Sequence, residues 1–101
     1  MKRTFLISLA ARLDVDEISL WYQQQEPQLG GRFLEALTRK FRFIADHPEI
    51  YPPQRNSEIR RCKLDRWPYF IFFAASEIVI EIIAIIHTSR DPKYIATRTG
   101  P

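Results

Sequence analysis

At 101 residues the chain has room for one small domain, expected over 1–101, and 46% hydrophobic with 13% aromatic residues supplies a compact core of modest size. The longest apolar stretch, Ile78 to Ile86, is interrupted by Glu81 and is too short to cross a bilayer. A net charge of +3 points to no partner by itself, but its distribution is uneven: residues 52–101 carry eight basic and five acidic groups, against three and four in residues 1–26.

The single cysteine, Cys62, rules out an internal disulfide and a multi-cysteine zinc site and suits a small buried strand residue. Lys2 and Arg3 precede a short apolar stretch, yet Arg12, Asp14 and Asp16 arrive before a signal-peptide core could form. A cytoplasmic protein without membrane attachment is expected.

In chain order, Arg3 to Ile7 reads as a short strand, and Ser8 as the N-cap of a helix over about 9–25. On that helix Ala11, Val15, Ile18 and Tyr22 recur at steps of four, three and four residues and line one face, while Asp14, Asp16, Glu17 and Gln24 fall elsewhere. Leu13, Leu20 and Trp21 remain as a second apolar stripe, which is either further core or a surface for a partner. Pro27 stops the helix. Gln28 to about Ala45 opens a second one, with Leu29, Phe33, Leu37, Phe41 and Ile44 as its buried stripe and Gly30 and Gly31 in its first turn, where close packing calls for small residues. His47-Pro48 ends it, His47 standing where an imidazole favours the terminal carbonyls.

Pro48 to Ser57 carries three prolines and no periodicity and reads as a connecting loop. Ile59 to Leu64 is a basic strand, with Arg61 and Lys63 on one face and Arg60, Cys62 and Leu64 on the other. Trp67-Pro68 marks a turn, and Tyr69 to Ala75 with Ile78 to His87 forms an antiparallel hairpin around Ser76-Glu77. In the last strand Ile78, Ile80, Ile82, Ala84 and Ile86 alternate with Val79, Ile83 and Ile85, so both faces are apolar and the strand is central. The fold expected is α+β: an N-terminal strand, an α-helical hairpin and a three-stranded antiparallel sheet, with one layer of helices on a curled sheet.

The sequence holds no Gly-rich phosphate loop, no His-Glu-x-x-His, no Cys-x-x-Cys and no metal-ligand spacing, so neither metal nor cofactor is expected. What remains is a polar cluster after the central strand, His87, Arg90, Asp91, Lys93 and Tyr94, with Arg60, Arg61 and Lys63 on a neighbouring strand. Arginine offers planar two-point donation to phosphate or carboxylate, lysine a point charge, tyrosine a stacking surface and histidine a proton near neutral pH. The same residues also suit structural roles: a charged, solvated edge strand, an Arg90–Asp91 ion pair fixing the turn before Pro92, and His87 as a hydrogen-bonded strand end.

The ordered set Ser8-Leu9-Ala10-Ala11, Asp14-Val15-Asp16-Glu17-Ile18, Arg32-Phe33-Leu34, His47-Pro48-Glu49, Arg61, Leu64, Pro68-Tyr69, Ile82 to Ile86 and His87-Thr88-Ser89-Arg90-Asp91-Pro92 before Tyr94 resembles the RelE/ParE toxin superfamily, also called plasmid stabilisation proteins. The resemblance covers nearly the whole chain. It implies a growth-inhibiting cytoplasmic toxin neutralised by an antitoxin encoded beside it, with operator DNA contacted only through the antitoxin complex. RelE-like members are ribosome-dependent mRNA endonucleases; by resemblance Arg61, Lys63 and Arg90, with His87 or Tyr94, would be their catalytic set here. Those nucleases place an arginine where this chain has Phe70, and their C-terminal tyrosine falls at Ala96. The Arg-Asp-Pro ending is more similar to the ParE branch, which inhibits DNA gyrase. On that reading Arg60, Arg61, Lys63, Arg90 and Tyr94 bind the target, and Leu13, Leu20 and Trp21 bind the antitoxin. A non-toxic, antitoxin-binding relative is a further alternative.

Overall fold

The computed structural model describes residues 3–90. Strand β1 (Thr4–Ile7) leads into helices α1 (Leu9–Gln25) and α2 (Leu29–Asp46), a 3-10 turn over Pro48–Ile50, and strands β2 (Ile59–Lys63), β3 (Tyr69–Ala75) and β4 (Val79–His87). The class is α+β, as the sequence predicts. Ser8 caps α1 by accepting the Ala11 amide at 3.1 Å, which satisfies one of the donors that a helix start leaves free. On α1, Ala11 is fully buried, and Val15, Ile18 and Tyr22 pack against the core; α2 contributes Phe33, Leu37 and Ile44. The two helices pack tightly at Gly30, where a Cβ would stand 2.8 Å from the Ser19 carbonyl oxygen and 3.1 Å from the Gln23 Cβ. Gly31 meets nothing, so only the first glycine answers to packing.

The sheet departs from the expectation in two ways. It has four strands rather than three, in the order β1-β4-β3-β2, because β1 joins the same sheet and pairs parallel with β4 from Thr4 opposite Val79 to Ile7 opposite Ile82. A four-residue strand carries too short a pattern to announce its neighbour. Strict alternation along β4 also fails. Phe72 pairs with Ala84 but Phe73 pairs with Ile82, leaving Ile83 as an extra residue, a β-bulge. Ile80, Ile82 and Ile85 therefore face the helices, while Ile83, Ala84 and Ile86 join Phe72 on the other side of the sheet. Ala84 and Ile86 thus lie opposite Ile80 and Ile82, not with them.

Beyond Ile82 β1 no longer accompanies β4, and the free backbone of β4 is taken up by side chains. Ser8 Oγ donates to the Ile83 carbonyl at 3.2 Å, and the Ile85 amide donates to Asp14 Oδ2 at 2.9 Å. An Asp side chain on α1 thereby does what a further residue of β1 would have done. At the other end of β4, Ser76 Oγ accepts from the Val79 and Ile78 amides and closes the β3–β4 hairpin.

Candidate functional site

The first candidate surface is an open cleft of about 550 Å³ between α1 and the end of β4. Helical spacing puts Asp14, Glu17, Trp21 and Gln24 along its α1 side. Register puts His87 beside Tyr69 on its sheet side, and Arg90 from the turn after β4 completes the wall. Leu20 and Trp21 also line it and are each 54% exposed; Leu13, 58% exposed, lies outside it. Two apolar residues expected to bind a partner are thus in one place with two polar residues expected to act on a target.

His87 is held. Its Nδ1 accepts the Ser89 amide at 3.1 Å and lies 2.8 Å from Ser89 Oγ, and its ring meets Tyr69 edge-on with centroids 5.3 Å apart. Because a backbone N–H donates to Nδ1, the proton of the neutral ring sits on Nε2, and the ring offers the cleft a hydrogen-bond donor. Tyr69 is buried, and its phenol is pushed well above the ordinary range by burial and then by its hydrogen bond with Tyr22, so it stays neutral and donating. The Arg90 amide donates to the His87 carbonyl at 2.9 Å, closing the turn from which its side chain projects. Tyr94, with Asp91, Lys93 and Ala96, lies outside the described residues.

The second candidate surface, the basic strand, faces away from the first. Lys63, Phe70 and Ile86 stand side by side, as do Arg61, Phe72 and Ala84, and both rows lie on the side of the sheet turned away from the helices. Each basic side chain already has an intramolecular partner. Arg60 donates to the Tyr51 carbonyl and fastens the loop after α2. Arg61 sits over the Phe70 ring with Cζ 4.3 Å from the centroid, within range of a cation–π attraction. Lys63 Nζ donates to the carbonyls of Leu64 and Trp67 at 3.1 and 3.3 Å, bridging the turn where Arg66 takes a positive φ of 68°.

The sequence pattern places Asp14 off the apolar face of its helix, yet its side chain joins α1 to β4 across 71 positions; no local pattern signals such a bond. Tyr22 was read as core and also separates two clefts. The second of these, between α2 and the β2–β3 turn, is lined by Tyr22, Arg32, Arg39, Arg66 and Trp67 among others. Among the described residues no His, Cys, Asp and Glu side chains cluster as a metal site, and no helix is long and apolar enough to cross a membrane.

Among solved structures, the chain is similar to one described as a chromosomal ParDE TA system from P. aeruginosa, with a TM-score of 0.76 and 18% sequence identity, over 85% of this chain and 96% of that one. That likeness establishes the fold. No curated protein matches the chain. A family profile, described as the ParE toxin of the type II toxin–antitoxin system parDE, matches residues 5–92, from the middle of β1 to just past the turn after β4. The chain belongs to the ParE toxin family of type II toxin–antitoxin systems.

Proposed function

We propose that this protein inhibits growth by binding DNA gyrase in the cytoplasm, and that a cognate antitoxin neutralises it by covering the apolar flank of α1. The observation that carries the binding reading is Phe70 beneath Arg61. RelE-like nucleases place an arginine at the Phe70 position, and a phenyl ring cannot donate to a phosphate oxygen as a guanidinium does. Two other groups of a nuclease set have contacts within the chain: Lys63 donates to two carbonyls and His87 Nδ1 accepts from Ser89. Family membership supports the toxin role, and the solved relative, whose title describes a ParDE system, supports an antitoxin as partner. Contact with operator DNA is assigned to the antitoxin of the complex.

Controlled expression of the full chain, with and without the protein encoded beside its gene, tests this. The expected result is growth arrest with DNA-damage signalling and gyrase-trapped breaks, relieved by the neighbouring protein. Abrupt translation arrest with cleaved mRNA would replace the reading with a ribosome-dependent mRNA interferase. Unimpaired growth would leave a non-toxic relative. Arg90→Ala is expected to reduce toxicity, and full toxicity in that variant would remove Arg90 from the target-binding set.

A further inference from the structure

The cleft between α2 and the β2–β3 turn encloses about 910 Å³ and has no part in the function proposed above. Its floor is apolar, formed by Ala36, Leu64, Trp67 and Pro68, and its rim carries four basic groups against two acidic ones. Arg32 and Arg39 are seven residues apart, two turns along one side of α2, and Arg66 faces them from the turn. All three are exposed, and none has a partner among the described residues, whereas Lys40 is paired with Asp65 at 3.1 Å. This differs from the basic strand, where each cation already has an intramolecular contact.

Tyr22 lines this cleft and the α1 cleft alike. Its ring lies edge-on to Trp21, 5.0 Å away, and to Trp67, 4.9 Å away, so the exposed apolar flank of α1 runs without a break into the basic groove. We propose that the groove takes an acidic stretch of the antitoxin, continuous with the segment whose apolar side chains cover Leu20 and Trp21; this rests on the toxin–antitoxin reading above. Unpaired guanidinium groups match carboxylates in two-point hydrogen bonds, and the apolar floor gives an amphipathic peptide something to bury. A nucleic acid fits less well. Glu35 interrupts the line from Arg32 to Arg39, Trp67 is already edge-on to Tyr22 and Phe33, and Lys40 Nζ lies 5.8 Å from the Phe43 ring centroid, so these rings already have neighbours in the chain that a stacked base would have to compete with.

The test uses the full chain and the protein encoded beside its gene, with affinity measured by calorimetry from low to high salt and the fold of each variant checked by thermal melting. The triple variant Arg32→Gln, Arg39→Gln, Arg66→Gln is expected to bind roughly 10- to 100-fold more weakly at low salt, with a flatter salt dependence, as the loss of three exposed ion pairs dictates. Trp21→Ala is expected to weaken binding without flattening the salt dependence. If the triple variant binds like wild type in strength and salt dependence while Trp21→Ala weakens the complex, the groove proposal falls and the toxin–antitoxin reading stands. A triple variant that keeps the protein complex but loses affinity for operator duplex DNA would assign the groove to nucleic acid and also overturn the proposal. No complex with the wild-type chain would overturn both.

Discussion

The flank of α1 and the basic strand β2 both stand out in the sequence as partner surfaces, one for its surplus of large apolar residues and the other for its charge. In the folded chain they differ. Arg60, Arg61 and Lys63 are engaged by Tyr51, Phe70 and the turn carbonyls, so much of their charge is spent on holding β2, the preceding loop and the following turn in place. Leu13, Leu20 and Trp21 are each more than half exposed, and Asp14 anchors their helix to the sheet. Charge density in a sequence therefore says less about outside partners than apolar surface does, because a cation readily finds a carbonyl or a ring of its own chain, while an exposed indole has gained nothing until something covers it.

Replacing Leu20 and Trp21 together by alanine gives the largest expected effect. Affinity for the neighbouring protein falls about 100-fold or more, as truncation of a buried aromatic anchor does, while urea unfolding of the free chain barely changes. A complex of undiminished affinity would break the contrast at its root. Next comes Asp14→Ala, which leaves the Ile85 amide without its acceptor and lowers unfolding free energy by about 2 kcal/mol. Asp14→Asn keeps an acceptor and loses less. Equal stability of all three proteins would show that α1 is not anchored through this bond.

Alkaline titration addresses two tyrosines of the core, Tyr69 beneath α1 and Tyr51 beside Phe43 and Phe73. Burial, followed by hydrogen bonds to Tyr22 and Cys62 respectively, raises the phenols of Tyr69 and Tyr51 above their ordinary value of 10.0. The folded state holds these protons more tightly than the unfolded one, so the associated stability is complete below pH 10 and is lost as pH climbs through the raised values. Tyr69→Phe is expected to cost about 1 kcal/mol at neutral pH through its lost hydrogen bond and to make unfolding less steeply pH-dependent above 10. An unchanged alkaline profile would show that Tyr69 does not govern it. The smallest change is expected for Lys63→Met, which removes the bridge across the β2–β3 turn, costs about 1 kcal/mol or less and leaves growth inhibition intact. Loss of toxicity in a folded Lys63→Met protein would assign Lys63 to the target-binding surface.

What could be read from the sequence follows the range of the forces involved. Ser8 as a cap, the Ala11–Val15–Ile18–Tyr22 face and the Phe33–Leu37–Ile44 stripe are set by neighbours within one or two turns, and the structure agrees with each. The parallel pairing of β1 with β4 and the Asp14–Ile85 bond join residues more than seventy positions apart, and four residues of strand cannot specify where they dock. The candidate site was legible in part for the same reason. Leu20, Trp21, His87 and Arg90 were recognisable by residue type, but their meeting in one cleft depends on the sheet register, and the arginines of the second groove come from two elements brought together only by folding.

That register turns on Ile83. The extra residue in β4 changes the phase of everything after it, so that Ile85 and His87 face the helices although strict alternation from Ile82 would turn them away. Deletion of one codon there would leave composition and charge essentially unaltered and remove the bulge, so that Ile85 and His87 would face the helices in plain alternation with Ile82 while Ala84 and Ile86 stayed on the other side. For a protein whose partner is inherited alongside it, the wall of the α1 cleft therefore depends on the bulge as long as Ile83 is present: Ile85 and His87 reach the helix side only because one residue of β4 is left unpaired between Ile82 and Ala84.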